Sequence, residues 1–314
     1  MAPITGAMAN VSWAALGTTA VIRAPRARLQ VAQRAASRVI EQIDRLASRF
    51  RADSELSRIN EAAGDWTPIS PELVELVALG LSAAEQTAGA VDPTLATELA
   101  GLGYDRDWKE LAAVDVGCPL TVPALPARGR RSEPWRSVDL QADRGLIRLA
   151  PTIGLDLGAT AKGRAADLAC GAAHRATGDG VLVSLGGDVA VAGEAPDGEW
   201  SIGIADDHRT RPQDCEEAVT IRAGGLATSS LAARRWWRDG EAVHHVLDPR
   251  TGLPVTPHWR TVSVTAGSCA EANVAATAAL VLGDRARSWL EDRGLAARLV
   301  SVNGETVRLG GWPG

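Results

Sequence analysis

The succession of hydrophobic periods is what most restricts the folds open to this chain. The first third is written in helical period. RARLQVAQRAASRVIEQIDRLASRF sets Leu29, Ala32, Ala36, Val39, Ile43 and Leu46 on one face of a long helix ending near Arg49. In RADSELSRIN, Ser54 is placed to cap a short helix. SPELVELVALGLSAAEQTAG reads as another, with Ser70 at the N-cap, Pro71 in the first position and Gly89 at the end. Ahead of these, WAALGTTAVIRA reads as strand, turn, strand. After residue 137 short strands take over: a hairpin around Asp143–Gly145, the strand–Gly-Gly–strand of GVLVSLGGDVAVAGEA, then EWSIGIAD, AVTIRAGGLATSS, AVHHVLDP and RTVSVTAG. A hairpin turning at Asn303–Gly304 closes the chain. Three helices interrupt this run: RAADLACGAAHRA, the small-residue CAEANVAATAALVLG and the shorter ARSWLEDRG. Strict βαβ alternation is missing, so the expectation is an α+β fold with mixed, largely antiparallel sheets flanked by helices. Residues 1–314 read as one domain, with 105–136, rich in Pro, Gly and Arg, as an exposed connection.

Composition narrows the function classes. A net charge of -5 and a pI near 5.6 exclude a broadly basic face for nucleic acid. Anions would have to be met in a local pocket. No stretch approaches about 18 apolar residues, so no transmembrane segment is expected. Cys118, Cys170, Cys215 and Cys269 are widely spaced without a C-x-x-C pair, which points away from metal clusters and redox dithiols and fits a reducing compartment. Neither a basic-then-apolar leader nor a lipobox cysteine is seen near the start. A cytoplasmic chain is the expectation, or an extracytoplasmic one if an export signal lies outside this sequence.

Of 33 basic residues only Lys109 and Lys162 are lysines. Lys162 falls in DLGATAKGRAADLA, where a strand is expected to deliver Asp156 and a turn flanked by Gly158 and Gly163 to lead into a helix. Backbone N–H groups at a helix start favour anions, and a lysine adds a compact charge suited to phosphate. Neither a Walker loop nor a Rossmann G-x-G-x-x-G is present. Alone, the stretch marks either an anion site or a surface lysine. HHVLDPRTG, residues 244–252, has two histidines on a strand; they point to opposite faces, so only one faces a given cleft. Asp248 is placed to start the turn that follows.

In chain order, LGTT, SRFRADSELSRIN, VDPTLATELAGLGY, DLGATAKGRAADLA, SLGGDVAVAG, LATSS, HHVLDPRTG and AEANVAATAALVLG resemble the ApbE family, the FAD:protein FMN transferases, over about residues 13–283. The only Phe, Phe50, and the only Tyr, Tyr104, fall inside matching pieces. The resemblance implies an ApbE-like fold with a cleft for FAD. It also implies an enzyme that takes FAD as substrate and transfers FMN to a Thr or Ser hydroxyl of a target flavoprotein through a phosphoester bond, releasing AMP with Mg²⁺. By that resemblance Lys162 and Asp156 lie beside the nucleotide. Leu16, Phe50, Asn60, Asp92, Pro93 and Thr94 shape its pocket. His245 sits near the phosphates and helps the acceptor hydroxyl lose its proton, so His245 and Lys162 are the catalytic candidates. The carbonyl of Ala159 and the side chains of Asn273 and Thr277 hold the metal. Hydrolysis of FAD to FMN and AMP, or flavin binding without turnover, are the alternatives on the same scaffold.

The sequence departs from the family pattern in three places. The usual metal pair Asp-x-x-x-Thr reads Asn273 and Thr277, four apart on one helical face. An amide oxygen is a weaker cation ligand than a carboxylate, and Glu271, about 200° around the helix, is not placed to substitute. Asn273→Asp is therefore expected to tighten Mg²⁺ binding. Leu16 stands where the family has Met, and Thr228–Ser229–Ser230 where it has Thr-Ser-Gly, in what reads as a turn near the cleft.

Overall fold

The computed structural model describes residues 7–106, 110–111, 133–205, 214–215, 217–232, 234–238 and 241–313. Most of the expected connection at 105–136, and Lys109 and Cys118, lie outside them. The helices are α1 (Leu29–Ala47), α2 (Glu55–Glu61), α3 (Pro71–Gln86), α4 (Ala96–Gly101), α5 (Ala161–Thr177), α6 (Cys269–Leu282) and α7 (Ala286–Glu291). An eight-stranded sheet runs Met8–Ala15, Thr18–Pro25, Val181–Leu185, Asp188–Ala192, Gly224–Ser230, Trp259–Ala266, Ala296–Ser301, Thr306–Leu309. Every neighbouring pair in it is antiparallel. The α+β expectation holds.

Thr18–Pro25 and Val181–Leu185 are neighbours in the sheet although about half the chain separates them. Helices α1 to α5 and a small three-stranded sheet, Thr67–Pro68 with Asp139–Gln141 and Leu146–Arg148, fill that interval. Helix α1 turns Ala32, Ala36, Ile40, Ile43 and Leu46 into the core, as its period requires. It packs on α5, α5 packs on α6, and α6 lies on the strands Gly224–Ser230 and Trp259–Ala266. Two of the expected caps are in place. The Ser54 hydroxyl accepts from Ser57 N–H at 2.9 Å and the Ser70 hydroxyl from Leu73 N–H at 3.3 Å. Helix α3 stops at Gln86, before Gly89, whose N–H turns back to the Ala84 carbonyl at 2.7 Å.

The start of α6 is bound more tightly than a single cap would allow. Ser268 Oγ accepts from Glu271 N–H at 3.1 Å, and both carboxylate oxygens of Asp167 on α5 accept from Cys269 and Ala270 N–H at 2.8 and 3.0 Å. Three N–H groups that a helix start leaves without partners are thereby satisfied. The two helices can meet here because residue 163 has no side chain. A Cβ on Gly163 would stand 2.9 Å from Ala270 Cα and 3.0 Å from the Cys269 carbonyl oxygen, both backbone atoms. Gly163→Ala is expected to force α5 and α6 apart and cost about 1–3 kcal/mol, the usual range for overpacking. A thermal melt equal to that of the parent chain would show that the contact yields freely.

Four sequence expectations need local correction. Asp156 is not delivered by a strand; residues 153–157 are irregular. The reason is that side chains and a loop carbonyl take up this backbone's polar groups. The Asn60 amide donates to the Leu155 carbonyl at 2.9 Å and accepts from its N–H at 2.7 Å, and Asp156 N–H reaches the Pro93 carbonyl at 2.8 Å. Gly163 lies inside α5 rather than beside its first turn. Thr228–Ser229–Ser230 belongs to the strand Gly224–Ser230, not to a turn. AVHHVLDP is two short strands, Glu241–His244 and Leu247–Asp248, broken at His245.

Candidate active site

A cleft of about 740 Å³ opens where the starts of α5 and α6, the loop after α3 and the ribbon around His245 converge on the main sheet. That volume lies within the usual range for cofactor-sized sites. Its floor holds a chain of three polar side chains. Gly186 and Gly187, with φ of +61° and +98°, turn the chain sharply between two strands and present Asp188 beneath α5 and α6. Asp188 is 0% exposed. One of its oxygens pairs with the Lys162 ammonium of α5, and the other accepts from Asn273 Nδ2 of α6 at 2.8 Å. Asn273 is 4% exposed, and its Oδ1 is buried without a hydrogen-bond partner among the described residues.

One wall carries the lone Phe and the lone Tyr together. Phe50 and Tyr104 have ring centroids 5.3 Å apart, and Tyr104 continues to Trp236 at 5.3 Å. The Arg49 guanidinium lies 4.6 Å from the Phe50 centroid and 5.2 Å from that of Tyr104. Arg49 also donates to Asp156 Oδ2 at 2.7 Å and to the Tyr104 carbonyl at 2.7 Å. Asp156 Oδ1 accepts from Gly158 N–H at 2.8 Å. The carboxylate is thus held on both oxygens at the mouth of α5.

The two histidines divide as strand geometry requires. His244 is buried, with Nε2 donating to the Val255 carbonyl at 3.2 Å, and burial pushes its pKa down to about 4. His245 lines the cleft. Desolvation, with the Arg234 charge second, holds its pKa well below the ordinary histidine value. Its Nδ1 lies 3.4 Å from the Arg234 carbonyl, a long contact that only an N–H can make to an acceptor. The proton therefore sits on Nδ1, and Nε2 keeps the basic lone pair. Asp248 starts the following turn: its Oδ1 accepts from Arg250 N–H at 2.9 Å, and its carbonyl from Gly252 N–H at 2.8 Å. Two of the thiols, Cys170 and Cys269, are buried. Burial drives Cys170 up to about 12 and Cys269 well above its ordinary value.

The expected site residues fall into two groups. Phe50, Asp92, Asp156, Ala159, Lys162, His245, Asn273 and Thr277 all line this one cleft. Leu16, Asn60, Pro93 and Thr94 are not among its lining residues. Leu16, at φ +49°, forms the first strand turn. Asn60 is spent on Leu155. Thr94 gives both its N–H and its hydroxyl to Asp92 Oδ1, at 2.8 and 2.6 Å, and so fixes that carboxylate. Among the described residues no cluster of three His, Cys, Asp or Glu forms a metal site. The oxygens of Ala159, Asn273 and Thr277 are a hard donor set instead, of the kind Mg²⁺ takes. The unpartnered Asn273 Oδ1 is the observation that fits such a cation.

A profile of the ApbE family matches residues 16–299. The chain belongs to the ApbE family. It is 31% identical over 277 residues to the FAD:protein FMN transferase of Klebsiella pneumoniae, covering 83% of this chain and 74% of that one. It is also 31% identical over 271 residues to the enzyme of the same name from Treponema pallidum, covering 82% and 73%. The fold superposes on the ApbE protein of Thermotoga maritima with a TM-score of 0.80 at 24% identity, covering 96% of this chain and 97% of the other. For the apo flavinyl transferase ApbE of Pseudomonas stutzeri the TM-score is 0.74 at 23% identity, covering 98% and 97%.

Three residues of this ApbE site escaped the sequence reading. Asp188 was inside the quoted SLGGDVAVAG, and the glycine pair before it was the available signal. Arg49 was next to Phe50 in SRFR. Asp167 was inside DLGATAKGRAADLA without a role, and it is the residue that docks α6 onto α5.

Proposed function

We propose that this chain transfers FMN from FAD to a threonine or serine hydroxyl of a target flavoprotein, forming a phosphoester and releasing AMP. The carrying observation is that a neutral histidine, His245, and Asn273, whose buried carboxamide oxygen has no partner among the described residues, line one cofactor-sized cleft. Membership of the ApbE family and the names of its relatives support the substrate.

The chemistry follows from the side chains. The acceptor oxygen attacks the phosphorus of the FMN half of the diphosphate, a new P–O bond forms, and the bond to the AMP oxygen breaks. His245 Nε2 accepts the hydroxyl proton, a contribution typically worth about 10²–10⁴-fold. Arg234, whose guanidinium donates to the Tyr104 hydroxyl at 3.2 Å, stands beside His245 and is placed to meet diphosphate oxygens. Phe50 and Tyr104 offer flat apolar surface for a ring. A Mg²⁺ ion held by Ala159, Asn273 and Thr277 would neutralise the diphosphate and steady the departing AMP. Positioning and charge do most of the work in such transfers.

The test is incubation with FAD, Mg²⁺ and a threonine-containing acceptor protein. Flavin fluorescence that stays with the denatured acceptor, with stoichiometric AMP, is the expected result. AMP without labelled acceptor would make the chain an FAD pyrophosphatase, and bound FAD with neither product a flavin carrier; either outcome refutes transfer.

A further inference from the structure

We propose that Asp188 holds the negative charge of the cation site and fixes which end of the Asn273 carboxamide faces the cleft, so that residues 188 and 273 form one exchangeable carboxylate–amide pair. A carboxylate can only accept hydrogen bonds. One Asp188 oxygen is taken by the Lys162 ammonium, and the other faces residue 273, where Asn273 Nδ2 supplies the donor at 2.8 Å. The amide oxygen is thereby turned away from Asp188 and left without a partner among the described residues. Asp188 is 0% exposed, so water cannot replace that donor.

This pairing alters the expectation for Asn273→Asp. By the family resemblance an aspartate belongs at 273, and on the sequence alone restoring it should only tighten Mg²⁺ binding. In this chain the new carboxylate would face a second, fully buried one with no proton between them. Exchanging both residues removes the conflict. An amide at 188 accepts from Lys162 through its oxygen and donates through its nitrogen to a carboxylate at 273. The second oxygen of that carboxylate then occupies the place of the Asn273 Oδ1. Every hydrogen bond is retained with one direction reversed, and the charge moves from 188 to 273. Asp188 is on this reading a positioning residue. The cation half of the proposal rests on the functional reading above; the pairing itself does not.

The experiment compares the parent chain with Asp188→Asn, Asn273→Asp and the double exchange. Each is melted in EDTA and then titrated with MnCl₂, free Mn²⁺ being followed by electron paramagnetic resonance. In EDTA each single exchange is expected to lower the melting temperature by about 5 °C or more, and the double exchange to recover to within about 2 °C of the parent. The double exchange is expected to bind Mn²⁺ about tenfold more tightly than the parent, since a carboxylate then faces the cation directly. Losses that simply add in the double exchange overturn the pairing. Unchanged Mn²⁺ affinity in a recovered double exchange overturns the assignment of charge. If a single exchange yields no folded protein, folded double-exchange protein supports the pair, and its failure to fold counts against it. Neither readout involves flavin, so a chain unable to transfer FMN would still return the melting result.

Discussion

Lys162→Met is expected to lower the melting temperature of the metal-free protein by about 6 °C or more, besides removing activity. The Lys162 side chain is 22% exposed and pairs with an Asp188 that is 0% exposed. Removing the ammonium leaves that carboxylate with the Asn273 amide as its side-chain partner. Stripping one partner from a buried ion pair costs about 3 kcal/mol or more, because the surviving charge stays desolvated. In a chain of this size each kcal/mol moves the midpoint by about 2 °C. Calorimetry in EDTA measures the effect without flavin or metal. A shift under about 2 °C would mean that Asp188 is not held as a buried ion. The result also bears on why this cation is a lysine in a chain whose other basic residues, Lys109 apart, are arginines. A point charge suits one carboxylate oxygen reached from the second residue of a helix, whereas a guanidinium brings a wide planar fork.

Loss of His245 is the second large effect. His245→Gln preserves much of the volume and a polar tip but cannot take up a proton at neutral pH. FMN transfer is expected to slow by about 10²–10⁴-fold, with the melting temperature and FAD affinity close to those of the parent. A rate within threefold of the parent would remove His245 from the chemistry. The pH profile gives a separate check with a definite sign. Burial lowers the His245 pKa well below the ordinary value, so the basic, neutral form persists as pH falls from 8 to 6. The transfer rate limited by this group should stay level over that window. A histidine titrating at its ordinary value near 6.5 would lose about three-quarters of its basic form at pH 6. Such a loss would contradict the desolvated setting described for His245.

Much of the fold was legible because it is written in local rules. Ser54, Ser70 and Pro71 announce helix starts through chemistry confined to a few residues, and the core face of α1 follows from its period. The hairpins are marked by glycines that accept positive φ. What escaped is non-local. Asp156 looks like the end of a strand until Asn60, 95 residues before Leu155, takes that segment's backbone groups. The partners of Asp188 and Asp167 lie on helices 26 and about a hundred residues away in sequence. A family pattern singles out such positions without stating what they touch. For this reason the pattern groups Leu16, Asn60, Pro93 and Thr94 with the pocket, although they are not among the residues that line the cleft. The departure at Asn273 was visible in the sequence, but its counterpart at Asp188 was visible only once the two side chains were seen to meet.

The Gly163 contact has a further consequence. Lys162, the close approach at 163 and the Asp167 clamp occupy less than two turns of α5, and together they set where the first half of α6 lies. The geometry of the proposed centre is therefore gauged by a single crossing of two helices. Behind that crossing, Ala275, Ala276, Ala279 and Leu280 of α6 share a buried cluster with Ala297, Leu299 and Leu309 of the closing hairpin, so the last strands of the chain act as the backstop of the centre, and a repacked hairpin at Ala296–Leu309 would be felt at residues 273 and 277.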